Sequence, residues 1–144
     1  FVCGAAFANT GHDHADMKVT FGSPGTESKV TKTINVEASD QMRFVFDRTD
    51  IKRGDVVKFV IRNGGKVRHE FSIGDARYQR AHAGMMKQMP GMVHDSPNMT
   101  TLEPGETKTL IWKFDKPVKG GLIFACHEPG HFEAGMKTGV VLAK

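Results

Sequence analysis

The sequence predicts an all-β fold, an antiparallel Greek-key β-sandwich that carries a Met-rich flap. Three observations point there: short apolar segments with strand-like alternation recur along the chain, clusters of Gly, Pro, Asn and Asp separate them, and only one stretch has helical character. A chain of 144 residues can bury one core but is too short for two domains of ordinary size.

The elements follow in order. Lys29 to Glu37 (KVTKTINVE) alternates weakly and reads as an edge strand; Met42 to Asp47 (MRFVFD) is a second short strand. A turn around Lys52-Arg53-Gly54-Asp55 leads into Val56 to Arg62, where Val57, Phe59 and Ile61 share one face. Asn63-Gly64-Gly65 breaks that strand, and Val67 to Ile73 (VRHEFSI) resumes. The stretch of about 75–101 shows no strand signature and is too long for a plain connection, so it reads as a functional flap with a helix over Ala76 to Lys87. Pro104-Gly105 turns into Lys108 to Phe114, Lys119-Gly120-Gly121 into Leu122 to Cys126, and Gly139 to Leu142 closes the sheet.

With 39% hydrophobic and 25% charged residues, the composition excludes wholesale disorder. The net charge of +4 comes from scattered Lys and Arg without interleaved stacking aromatics, which argues against nucleic acid as a partner. Phe1 to Ala8 (FVCGAAFA) reads as the end of a secretory signal peptide with cleavage after Ala8, and residues 9–28 as a mobile tail preceding a domain over 29–144. Export to a periplasm-like compartment as a soluble protein, with no stable membrane insertion, is the expectation. Cleavage would leave Cys126 as the one cysteine of the mature chain, which excludes a disulfide framework and makes that thiol a ligand or nucleophile candidate.

The chemistry concentrates in Cys126-His127-Glu128-Pro129-Gly130-His131-Phe132-Glu133-Ala134-Gly135-Met136. A thiolate, two imidazoles and a weak axial thioether form the ligand set of blue-copper centres. Cys126, His131 and Met136 lie in one loop, Pro129-Gly130 supplies its reversal, and Gly135 lets the chain bend toward Met136. His69, at the start of a strand, is the candidate for the remaining ligand. A papain-like Cys/His nucleophile lacks an activating helix and an oxyanion motif, and Met is a poor zinc ligand, so copper is the expected cofactor and enzymatic activity is not expected.

These residues resemble the cupredoxins, the family of plastocyanin, azurin, pseudoazurin and auracyanin. The Cys-x4-His-x4-Met spacing is similar to that of auracyanin and rusticyanin, and the likeness extends over about Lys29 to Lys144. It includes Ser39-Asp40-Gln41-Met42-Arg43-Phe44 and Gly64-Gly65-Lys66-Val67-Arg68-His69. The resemblance implies a type 1 copper site on a Greek-key sandwich. Two positions depart from it: many members follow the first His with Asn and the Cys with Ser or Thr, where this chain has Glu70 and His127. A Glu70–His127 hydrogen bond would replace the tie those side chains make; two separate solvent-facing side chains are the other reading.

Further soft donors lie outside the loop. His12, His14 and Met17 fall in the tail; Met85, Met86, Met89, Met92, His94 and Met99 crowd the flap, with His82 nearby. Thioethers prefer Cu(I), so these are candidates for additional copper sites. For Met85, Met86 and Met89 at helical spacing, core packing is the competing reading, whereas Pro90, Gly91, Asp95, Pro97 and Asn98 around Met92 and Met99 favour exposure. Two functions follow: copper tolerance by binding, buffering or relaying copper, with copper ions and a redox or copper-transport protein as partners; or electron transfer to a redox enzyme.

Overall fold

The computed structural model describes residues 19–93 and 95–144. In chain order the strands are β1 (Ser23–Pro24), β2 (Lys32–Ser39), β3 (Arg43–Phe46), β4 (Val56–Asn63), β5 (His69–Gly74), β6 (Met99–Leu102), β7 (Thr107–Lys113), β8 (Leu122–Ala125) and β9 (Lys137–Val140), with one helix, α1 (Ala76–Gln88), between β5 and β6. They form two sheets, ordered β1-β7-β4-β2-β3 and β6-β5-β8-β9. The architecture is an all-β sandwich, as the alternation predicts. Every strand pairing among the described residues is antiparallel except that of β2 with β4.

The core forms where inward-facing residues of both sheets meet. Val57, Phe59 and Ile61 of β4 are fully buried and face Phe71 of β5 and Phe124 of β8. Phe71 and Phe124 stack at 5.5 Å, and Phe44 meets Phe71 edge-on at 5.4 Å. Aromatic pairs at these separations add to the area they bury.

Three sequence expectations are corrected. Lys29 to Glu37 is no edge strand, because β2 starts at Lys32 and lies between β3 and β4, with Ile34, Val36 and Ala38 buried. The tail expected over 9–28 does not reach 28. Phe21 is buried against Trp112 at 5.5 Å and Tyr78 at 5.1 Å, and β1 pairs with β7, so ordered chain begins by Val19. The flap also contains an unexpected strand, β6, paired with β5. All its residues are buried, so no alternation marks it; Asp95 Oδ1 satisfies Thr100 Oγ1 at 2.9 Å and the Thr101 N–H at 3.2 Å.

The helix is where the pattern put it. Asp75 caps it by accepting the Tyr78 N–H at 2.8 Å. Tyr78, His82 and Met86, four residues apart, and Gln79 beside them form its buried stripe over the outer face of the β5-β8 sheet. A Cβ at Gly74 would sit 2.4 Å from the Tyr78 ring, so that glycine permits the close approach. Among the described residues no helix is long and apolar enough to cross a membrane.

Candidate metal centre

Strand periodicity sorts the site. Successive residues of a strand face opposite ways, so His69 and Phe71 point into the sandwich while Glu70 and Ser72 face α1. Ser72 of β5 lies opposite Ala125 of β8, and carrying this antiparallel register two residues further sets Glu70 opposite His127. Cys126 therefore joins the inward face and His127 the helix face.

The inward cluster comes together at one end of the sandwich. Asn63, fully buried, donates to the Val67 carbonyl at 2.8 Å and the Leu102 carbonyl at 3.0 Å, and its Oδ1 accepts the Gly65 N–H at 2.9 Å. These bonds shape the turn that delivers His69. The Cys126 loop is closed by its own main chain: the Cys126 N–H donates to the Met136 carbonyl, and the Met136 N–H to the His131 carbonyl, both at 3.1 Å. Gly130 (φ 82°) and Gly135 (φ 105°) take positive φ at the expected reversals. A Cβ at Gly135 would also lie 2.6 Å from Arg43 Nη1, which donates to the Ala134 carbonyl at 3.1 Å.

The geometry suits one metal ion. One ligand atom each of His69, Cys126 and His131 lies within 4.8 Å of the other two, the only such group among the described residues. Cys126 Sγ and His131 Nδ1 are 3.4 Å apart. With bonds of zinc's length, about 2.0–2.1 Å to nitrogen and about 2.3 Å to sulfur, tetrahedrally disposed ligand atoms lie about 3.5 Å apart. His69 Nδ1 is buried without a hydrogen-bond partner, an arrangement that protein interiors avoid unless something else takes the lone pair. Its other nitrogen, Nε2, donates to Asp40 Oδ1 at 2.9 Å. Met136 is fully buried beside Cys126, and a thiolate–imidazole–thioether donor set fits copper better than zinc.

Electrostatics agree with a site that is filled by displacement of a proton. Burial pushes the Cys126 thiol up to about 12, opposed by the Glu70 and Glu128 N–H groups; the Glu70 N–H lies 3.3 Å from Sγ. The metal-free protein therefore holds a thiol at neutral pH, with a donor already aimed at the sulfur that would become a thiolate if it bound a metal. Burial, and then the neighbouring His69 ring at 5.0 Å, lowers the His131 pKa and keeps that imidazole available as a neutral ligand. Asp40 is held below the usual carboxylate range, first by the Lys66 N–H at 2.6 Å and then by His69.

Similarity to known proteins follows the same residues. Residues 30–143 match the model of the copper binding proteins of the plastocyanin/azurin family. The chain belongs to that family. This cupredoxin is 39% identical over 146 residues to the copper-resistant cuproprotein CopI of Rubrivivax gelatinosus, an alignment covering 95% of this chain and 87% of the relative. It is 44% identical over 122 residues to the CopI of Vibrio cholerae serotype O1, covering 84% and 71%. Auracyanin B superposes with a TM-score of 0.62 at 23% identity over 85% of this chain and 96% of its own. Dithionite-reduced auracyanin from Roseiflexus castenholzii gives 0.60 at 20% identity, over 80% and 98%. The auracyanins show the fold; the family match makes copper the metal of this chain.

On the opposite face of β5 and β8 lies a polar cluster that the sequence only half announces. The expected Glu70–His127 tie exists, but through the main chain: Glu70 Oε1 accepts the His127 backbone N–H at 3.3 Å. The side chains are tied by α1 instead. His82 Nε2 donates to Glu70 Oε1 at 2.9 Å, and His127 Nε2 donates to Gln79 Oε1 at 2.8 Å. The Gln79 amide nitrogen, bonded to the Ile123 carbonyl at 2.8 Å, fixes which end of that side chain faces the imidazole. Burial lowers the His127 pKa to about 4, so its ring is neutral, and it stacks on Phe132 at 4.8 Å. Neither Glu70 nor His127 is solvent-facing, which removes the other reading. Asp40, Gln79 and His82 are the partners that sequence reasoning did not assign.

The flap methionines divide. Met86 is buried and lines a cavity of about 270 Å³ shared with His127, Glu128 and Phe132. Met85 on α1 and Met89, which caps its C-terminus, are half-buried, and Met92 is exposed. Met99 departs from expectation: it is 2% exposed in the core cluster on β6, because the chain re-enters the sheet immediately after Asn98, whose side chain donates to the Ile73 carbonyl at 2.9 Å. The structure thus packs Met99 among core side chains instead of presenting it as a flap ligand. His12, His14, Met17 and His94, and the signal-like segment 1–8, lie outside the described residues.

Proposed function

We propose that this chain holds one copper ion in a type 1 site through His69, Cys126, His131 and Met136. We further propose that it serves copper tolerance in an exported, periplasmic compartment, binding, buffering or redox-relaying copper rather than catalysing a reaction. The observation that carries the site is the buried, unpartnered His69 Nδ1 in a group whose ligand atoms lie within 4.8 Å of one another. The tolerance role is supported by the similarity to CopI proteins, which are copper-resistant cuproproteins.

When bound, the metal supplies one-electron chemistry between Cu(II) and Cu(I). The protein's part is to hold its ligands before the metal arrives: the Asn63 turn places His69, the Cys126–Met136 main-chain pair closes the loop, and the Glu70 N–H waits for the thiolate. Met85, Met89 and Met92 on the accessible side of the flap would add Cu(I) capacity, with His94 and the His12, His14 and Met17 segment as further donors. A redox or copper-transport protein is the expected partner.

A second reading, electron transfer to a redox enzyme, is favoured by the half-exposed His131, which would bring the metal's edge to the surface. Growth of a deletion strain on graded copper separates the two. Copper sensitivity with normal growth at low copper, rescued by the parent gene and not by Cys126→Ser, is the expected outcome. Unchanged tolerance with loss of an electron-transport activity would overturn the tolerance reading.

A further inference from the structure

We infer that Asp40 is a positioning residue for the copper ligand His69, selecting the imidazole tautomer and biasing the site toward the cupric state; this rests on His69 being a ligand. An ionised carboxylate can only accept hydrogen bonds, so the 2.9 Å contact between Asp40 Oδ1 and His69 Nε2 puts the imidazole proton on Nε2. The lone pair is then on Nδ1, the nitrogen that is buried and has no partner. Carboxylate–histidine–metal relays of this kind fix ring orientation and raise ligand basicity.

The carboxylate is itself held in place. Asp40 Oδ2 accepts the Lys66 N–H at 2.6 Å, so one oxygen is anchored to the main chain and the other is aimed at the ring. The opposing turn leaves room for it: a Cβ at Gly65 would lie 1.9 Å from Oδ1 and 2.5 Å from Cγ. Any side chain at that position would displace the carboxylate from His69. Asp40 and His69 come from opposite sheets, so the contact also ties the β2–β3 turn to the metal end of β5. Negative charge one imidazole away from the metal favours the more highly charged ion, an effect moderated because the Asp40 side chain is 38% exposed.

Removing such a partner commonly costs about 10–100-fold in metal affinity. Asp40→Asn is expected to weaken Cu(II) more than Cu(I). A tenfold change in their ratio raises a one-electron potential by about 59 mV. Asp40→Ala should do at least as much, and Gly65→Ala should reproduce the direction with the carboxylate still present. In the metal-free parent, long-range 1H–15N NMR should find His69 as the Nε2–H tautomer, a readout that depends on no variant folding. An Nδ1–H tautomer there, or potentials in Asp40→Asn and Asp40→Ala equal to the parent's, would overturn the inference. His69→Ala separates the two levels. If it keeps the parent's visible band, the ligand reading itself fails; if the band is lost while the Asp40 variants keep the parent potential, only the role of Asp40 fails.

Discussion

Two histidine clusters stand back to back across the β5–β8 ribbon, one residue apart in sequence on each strand. On the inward face are His69, Cys126 and His131; on the outer face are Glu70, His127 and the α1 residues Gln79 and His82. Their residue types overlap, yet their hydrogen bonding differs. The outer imidazoles spend Nε2 on Glu70 and Gln79 at 2.9 and 2.8 Å, which knits the helix to the sheet. In the inward cluster His69 likewise gives Nε2 to Asp40 at 2.9 Å, but one ring nitrogen of each histidine and the Cys126 sulfur converge within 4.8 Å of one another, as no other such group does among the described residues. A cluster of histidines becomes a metal centre when its lone pairs converge without being consumed by neighbours, and sulfur then decides which metal it suits.

The largest expected effect breaks the inward cluster alone. Cys126→Ser should abolish the intense visible thiolate-to-copper band and leave the sandwich folded by circular dichroism, whereas His127→Ala should keep the band; a band surviving Cys126→Ser would refute the site. Glu70→Ala should do the reverse, retaining the band while lowering stability by on the order of 3 kcal/mol in urea unfolding, because it strips a fully buried carboxylate from His82 and the His127 N–H. Gly135→Ala forces a side chain onto φ 105° and against Arg43, and should cost roughly 1–3 kcal/mol with a perturbed band, both measurable on one thermal and spectral series.

Smaller effects sharpen the contrast. Since the Cys126 thiol is raised to about 12, Cu(II) uptake at pH 7 should release about one proton, and apparent affinity should strengthen as pH rises; Cys126→Ser should lose that release, as read by calorimetry in buffers of different ionisation enthalpy. Finally, replacing Met89 and Met92 with Leu should reduce Cu(I) bound beyond one ion per chain under reducing conditions while the visible band stays. The parent binding only one Cu(I) would remove the flap site.

The loop from Cys126 to Met136 was legible because its donors are local: spacing, a Pro-Gly reversal and a flexible Gly135 are all within one segment. The helix over Ala76 to Lys87 was legible from the lack of a strand signature in that stretch, whereas its Asp75 cap and its Tyr78, His82 and Met86 stripe are seen only in the structure. Asp40 was not, since its contact with His69 spans 29 residues and exists only because two sheets bring two turns together. Gln79 and His82 went unassigned because they are polar residues on the buried side of the helix, between Tyr78 and Met86, and their partners Glu70 and His127 lie on β5 and just beyond β8. Strand β6 escaped because burial on both faces erases alternation, and Phe21 because a single aromatic in a polar stretch carries no period.

The main-chain clasp between Cys126 and Met136 has a kinetic consequence. Since backbone hydrogen bonds close the loop, its shape does not wait on metal, unlike that of a zinc finger. Loading and unloading can then proceed on a standing fold. His69 and Met136 are sealed inside and His131 is the half-exposed member, so an ion held by this set would meet solvent along the His131 ring and not through the buried ligands.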